Sequence, residues 1–311
     1  MYIFNNIANI IKILYFCEVK ERKIKAARLS IFSNLFLIGI KLIIGILTAS
    51  VSILSEAIHS GIDLIASAIA YLAVKISSKL PDEKHPYGHG KFENISGVIE
   101  GLLIFVAAIW IIYEAIHKLI APSEIKHLPY AAAVMFLSAI INFFVSKYLY
   151  KVAKETDSIA LEADALHLRT DVYSSLGVGL GILFIWISGW HIFDPVFAII
   201  VALFIMHESF GLVKRAISPL LDEQVSEKEL NDLEQSINDY CQKNQLRYKY
   251  LRSRRSGSAH FIDFTLRVNP QMSVQASHEK CDALEAVIKK RYLESDISIH
   301  VEPCADLLDA G

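Results

Sequence analysis

The sequence predicts a polytopic α-helical membrane protein of six spans, followed by a C-terminal α+β cytoplasmic domain of order α-β-β-α-β. Three observations predict it: an apolar composition, six apolar runs of membrane length, and an abrupt change of character after Ser218-Pro219. Of 311 residues, 53% are hydrophobic and only 21% charged, and the mean hydropathy is +0.39. A soluble domain of this size needs more polar surface to cover itself.

The runs cover residues 29–50, 52–78, 95–119, 128–150, 158–188 and 190–213. Each is long enough for a hydrocarbon core of about 30 Å. Tight breaks at Thr48-Ala49-Ser50 and Ser188-Gly189 make helical hairpins of the first two runs and of the last two. Basic residues set the orientation. One set of flanks carries Lys20, Arg22, Lys23, Lys25 and Arg28, then Lys75, Lys79, Lys84 and Lys91, then Lys147, Lys151 and Lys154, then Lys214 and Arg215. The opposite flanks offer only Lys118 and Lys126. The positive-inside rule therefore places both termini in the cytoplasm.

Residues 1–17 are apolar but short, are interrupted by Lys12 and lack a small-residue cleavage site. They read as an interfacial helix or a loose arm, not as a signal peptide. The expected division is an N-terminal arm over 1–28, a membrane domain over 29–215 and a cytoplasmic domain over 219–311. In the last of these, residues 227–243 have helical periodicity, and 248–254 and 260–268 read as strands parted by Ser256-Gly257-Ser258. A helix at 273–292 and a strand at 297–301 complete it. The net charge of −2 and the lack of a basic block give no sign of nucleic acid. Cys17, Cys241, Cys281 and Cys304 lie far apart with no C-x-x-C pair, as suits reduced thiols on the cytoplasmic side.

Ionisable residues inside membrane helices are costly, so they are functional candidates by default. The second span carries His59-x-x-x-Asp63 and the fifth carries His167-x-x-x-Asp171. Residues four apart share a helix face, so each span can present one imidazole and one carboxylate to its neighbour. Two nitrogens and two oxygens suit a tetrahedral zinc ion, and cobalt(II) tolerates the same set. Because these groups bind metal only when deprotonated, metal entry expels protons and proton entry expels metal. A mid-membrane site with alternating access then couples metal export to the inward proton gradient. The structural alternative is that each pair only satisfies itself in a polar helix interface.

Weaker signals surround this set. Asp164 either guides ions or makes a helix-mouth hydrogen bond, and Glu56, Glu100 and Glu162 read as interfacial or packed polar residues. Lys41, in the first span, snorkels or pairs with an acid and is given no transport role. Between spans two and three, Asp82, His85 and His89 form a candidate surface metal site, against the plainer reading of a solvated turn.

The stretches Ser55–Asp63, Gly88–Glu93 and Asp164–Asp171, with the order of spans and tail, resemble the cation diffusion facilitator family across nearly all of residues 25–304. The resemblance implies a homodimeric metal/proton antiporter of the lipid bilayer, in a bacterial cytoplasmic (inner) membrane, with a ferredoxin-like, metallochaperone-like dimerisation domain. It places His59, Asp63, His167 and Asp171 on the transport site, with zinc as cargo and as a possible structural ion. It matches Asp82, His85 and His89 to a second, loop site, and Lys91 and Asp222 to an interlock between membrane and cytoplasmic portions. His278, His300 and Glu302 fall on ligand positions of a two-metal cytoplasmic site. Two other ligand positions are Lys249 and Thr265 here, so one weak zinc site or none is expected in the tail. His260, Asp263 or Cys304 could substitute, a fold or surface role being the plainer reading of each.

Competing readings differ in class. An intramembrane metalloprotease needs a His-Glu-x-x-His helix, which this chain lacks. A non-transporting metal sensor or scaffold differs only in lacking flux. Within the transporter class, iron(II), cobalt or manganese could be the main substrate, although the imidazoles argue against manganese, which favours oxygen ligands.

Overall fold

The computed structural model describes residues 2–47, 51–120, 128–188 and 192–307. Residues 48–50, Gly189 and Lys126 lie outside them, and so does the side chain of Glu56. Two compact units are present, Met1–Ile217 and Ser218–Gly311.

The described residues of the first unit form six helices: α1 (Tyr2–Leu47), α2 (Val51–Ser77), α3 (Lys91–Ile120), α4 (Leu128–Thr156), α5 (Ile159–Ser188) and α6 (Phe193–Ile217). Among the described residues, five of these are long and apolar enough to cross a membrane. Helix α1 runs through residues 2–28 without a break, so the stretch up to Cys17 is helical and continuous with the first span. No proline or glycine interrupts them, so nothing stops the helix.

Bulky apolar side chains such as Phe32, Ile58, Trp110, Phe136 and Phe210 point outward from this unit, as a helix surface solvated by lipid requires. The interior adds small and polar residues to apolar ones such as Ile104, Leu149 and Leu212. Gly101 of α3 lies so close to α6 that an added Cβ would meet Val213 Cγ2 at 2.5 Å, and Ser209 Oγ donates to Gly101 O at 2.5 Å. Close approach through a small residue is how membrane helices gain packing. At the end of the bundle where α3 begins, the Glu93 carboxylate is buried among four elements. It accepts from Lys23 Nζ of α1 at 3.1 Å, from Ser77 Oγ of α2 at 2.8 Å, and from Ser158 Oγ, which caps α5.

In the second unit a 3₁₀ turn, Ser218–Leu221, leads to α7 (Glu227–Lys243), β1 (Arg247–Ser256), β2 (Ala259–Val268), α8 (Val274–Lys289) and β3 (Ser295–Pro303). This is the expected α-β-β-α-β order. Helix α7 starts at a capping box in which Ser226 and Glu229 satisfy each other's backbone N–H groups. The sheet order is β1-β2-β3, with β1 and β2 antiparallel and β2 and β3 parallel. Gly257, at φ +60°, closes the β1–β2 hairpin, while the parallel pair needs the α8 crossover. A bulge between Lys249 and Arg252 places Tyr250 at φ +56°. Leu233 and Ile237 of α7, Ile262 and Leu266 of β2, and Leu284 and Ile288 of α8 form the core.

Electrostatics at the cap add a pH term to this domain. His260, whose Nε2 stands 3.7 Å from Glu229 Oε1, is the largest influence on that carboxyl, a polar approach longer than a hydrogen bond. Ser226 and the Arg255 guanidinium, 3.4 Å away, add to it and together hold the Glu229 pKa at about 2. A depressed carboxyl pKa contributes stability above the ordinary value of 4.5 and loses it as pH falls toward about 2. The group is partly exposed, so solvent screening reduces the effect to about 1 kcal/mol. Urea titration of the C-terminal domain should show this loss between about pH 5 and pH 2, and Glu229→Gln should flatten it.

Candidate metal centre

The two His-x-x-x-Asp pairs meet between α2 and α5. His167 Nε2 stands 3.0 Å from Asp63 Oδ1, and His59 Nε2 stands 4.0 Å from the same oxygen. His59, Asp63 and Asp171 each offer a ligand atom, and these atoms lie within 4.8 Å of one another. The structure thus brings together all four residues singled out in the sequence. Asp63 and His167 are buried, Asp171 is half-buried, and the His59 side chain is 55% exposed. Two carboxylates and two imidazoles are a donor set that one small divalent cation accepts. The His167 Nδ1 atom is buried and has no hydrogen-bond partner among the described residues, and a ligating imidazole commonly uses that atom to fix its tautomer.

Residues outside the predicted set hold these ligands. Asn142 of α4 donates to Asp171 Oδ2 at 3.2 Å. Asn34 of α1 donates to Asp63 O at 3.4 Å and to Ser67 Oγ at 2.8 Å. Ser67 in turn donates to Asp164 Oδ1 at 2.8 Å, so Asp164 is a fully buried acceptor. Glu100, also fully buried, accepts from Ser96 Oγ at 2.9 Å. Glu162 pairs instead with Lys154 and Arg215, at 3.3 and 3.2 Å. The signal for Asn34 and Asn142 was available in the sequence, since an amide inside an apolar span needs a partner as a charge does.

The loop between α2 and α3 gathers a second group. Asp82, His85 and His89 place ligand atoms within 4.8 Å of one another. Asp82 Oδ1 stands 3.1 Å from His85 Nδ1, and Asp82 Oδ2 stands 3.3 Å from His89 Nε2. The turn is built for this. The His85 backbone N–H donates to Asp82 Oδ1 at 2.7 Å, and Gly88 adopts φ +84° to bring His89 back over the loop. The bond from the His85 backbone is the main reason the Asp82 carboxyl is held below its usual range, so it stays an anionic ligand. His89 is buried, with Nδ1 unpartnered among the described residues, and the three residues fit a divalent ion.

The C-terminal domain gathers no such group among the described residues. His300 Nε2 stands 3.7 Å from Glu302, but Lys249 Nζ holds that carboxylate at 2.6 Å and keeps its pKa low. His278 is solvent-exposed and faces Asp282 at 3.7 Å. His260 and Cys304 are buried in the domain, and Asp263 pairs in register with Arg252 across the sheet. Within this domain Asp222 pairs with Arg254 at 3.0 Å. In the first unit, Lys91 is the first residue of α3.

The chain matches two family models end to end: the cation efflux transmembrane domain over residues 27–221 and the cation efflux protein cytoplasmic domain over residues 225–304. It belongs to the cation diffusion facilitator family. An uncharacterized transporter of Synechocystis sp. is 33% identical to it over 280 residues, which is 90% of each chain. The cation-efflux pump FieF of Citrobacter koseri is 27% identical over 258 residues, covering 83% of this chain and 85% of that one. Among solved structures, the metal-bound C-terminal domain of the CzcD transporter from Thermotoga maritima is similar, with 29% identity, a TM-score of 0.23, and coverage of 25% of this chain and 94% of that chain. The protein is thus an integral membrane protein of a cation efflux family, with the family's dimerisation-type cytoplasmic domain.

Proposed function

We propose that this cation diffusion facilitator exports a divalent transition metal, zinc(II) first, from the cytoplasm in exchange for protons. It works as a homodimer in a bacterial cytoplasmic membrane, with both termini inside. The observation that carries the reading is the meeting of His59, Asp63, His167 and Asp171 between two helices of the membrane unit. Two imidazoles and two carboxylates are a zinc-type donor set, whereas a manganese site would be all oxygen. Their need to be deprotonated makes proton and metal mutually exclusive occupants. Placed on two helices that can move relative to one another, the same four groups serve either face in turn. The loop group Asp82, His85 and His89 would hold a resident zinc ion that pins the α2–α3 connection.

The test is metal-stimulated proton movement in proteoliposomes, with zinc, cobalt, iron(II) and manganese compared in parallel. Proton counterflow should be largest with zinc, smaller with cobalt and near background with manganese. Flux with another ion but not with zinc would keep the mechanism and change the cargo. Folded protein that moves none of them would put a metal sensor in place of a transporter.

A further inference from the structure

Asn142 of α4 touches the site through one end of its amide and leaves the other end without a donor. Its Nδ2 donates to Asp171 Oδ2 at 3.2 Å. The residue is only 5% exposed, and its Oδ1 is buried with no hydrogen-bond partner among the described residues. Turning the amide over would set a carbonyl against a carboxylate, so the contact with Asp171 decides which end is which. Packing holds the amide in place: Ile141, Val145 and Leu149 of α4 lie against Ala165 and Leu168, just before Asp171 in α5. Leaving a buried carbonyl oxygen without a donor is costly, so such an atom in a folded protein needs a reason. A divalent cation held by Asp171 is one. The two amide atoms share a carbon, so the oxygen stands beside the carboxylate that Nδ2 holds.

We propose that the Asn142 carbonyl is a further ligand of the transport site, a neutral oxygen donor that widens its choice of divalent cation. The inference rests on the transport-site reading above. His59, Asp63, His167 and Asp171 by themselves are a donor set for a tetrahedron, which zinc prefers. A further oxygen brings zinc little. Manganese(II) gains more, since it favours oxygen donors and a larger coordination number. The Asn142 oxygen therefore narrows the advantage of zinc over manganese that the imidazoles create. Being uncharged, it adds a ligand without adding a buried negative charge. The same amide steadies Asp171 through Nδ2, so one side chain both orients a ligand and supplies one.

The test is cobalt(II) absorption, with competitive titration of zinc against manganese, on the full chain in detergent. Cobalt(II) reports its own coordination, because a tetrahedral ion absorbs visible light far more strongly than a five-coordinate one. The band that Asp171→Ala loses belongs to the transport site, and the share of the loop group cancels in that difference. In wild type this difference band should be weak. Asn142→Leu, which keeps the volume and excludes water, should strengthen it and raise the zinc-over-manganese affinity ratio about tenfold. Asn142→Asp keeps an oxygen in place and should keep the weak band. If Asn142 only steadies Asp171, Asn142→Leu weakens both metals in parallel and leaves the band unchanged, which overturns the proposal. A strong band in wild type or in Asn142→Asp overturns it too, even where Asn142→Leu does not fold. A spectrum that Asp171→Ala leaves unaltered would remove the transport-site reading itself, and the proposal with it. A spectrum altered by Asp171→Ala but not by Asn142→Leu would sink the proposal alone.

Discussion

Asp171→Ala is expected to bring zinc-driven proton flux down at least about a hundredfold, to background. The substitution takes away one of the donor atoms grouped within 4.8 Å and half of the site's negative charge. His59, Asp63 and His167 remain, but three donors with one charge bind a divalent ion poorly in a medium that cannot screen it. The variant should still fold. Asp171 is only half-buried, and its side chain gives up the bond from Asn142 at 3.2 Å. Flux in proteoliposomes, with size exclusion as the control for folding and assembly, separates these outcomes. Retained flux from a folded Asp171→Ala variant would remove this residue from the transport site. Asn142→Ala offers a graded companion, since it frees the carboxylate to rotate without removing it.

How much of this was legible in the sequence depends on the range of the interaction. Helix α7 begins and ends where the 3.6-residue periodicity placed it, because its signals are local: the Ser226/Glu229 capping box and an apolar stripe through Leu233, Ile237 and Cys241. The His-x-x-x-Asp pairs were legible for the same reason, since spacing within one helix fixes which side chains share a face. What spacing could not supply was partners across helices. Lys41 in an apolar span has no preferred reading until Ser60 is found beside it. Asn34 and Asn142 signal in the sequence that they need a partner, but which partner emerged only when α1 and α4 packed against the ligands. The continuity of α1 was hidden on different grounds. Residues 2–28 change from apolar to charged, which looks like a boundary in composition, but helix continuity depends on backbone propensity, and that stretch holds nothing to end a helix.

Glu93 shows the same long-range logic in its strongest form, and Glu93→Ala is expected to destabilise the membrane unit by about 3–5 kcal/mol. The carboxylate is 2% exposed and its partner, the Lys23 side chain, 6%. Truncation leaves an ammonium buried with its 3.1 Å partner gone, and it deprives the hydroxyls of Ser77 and Ser158 of their acceptor. The cost falls on α1, α2, α3 and the start of α5 together, so the loss should be cooperative and not a local fraying. A buried ion pair is nonetheless weak evidence of net stabilisation, because desolvation of both charges opposes their attraction. That asymmetry gives the prediction its second arm: Lys23→Met combined with Glu93→Leu removes both charges and should recover most of what Glu93→Ala loses. Thermal inactivation rates of the detergent-solubilised protein measure both, a rate being the proper observable where unfolding is irreversible. A single variant as stable as wild type would show that Lys23 escapes to solvent. A double variant no better than the single would mean that the bundle needs the ion pair itself, as a fastener of four helices at one end, more than it needs the absence of an unpaired charge.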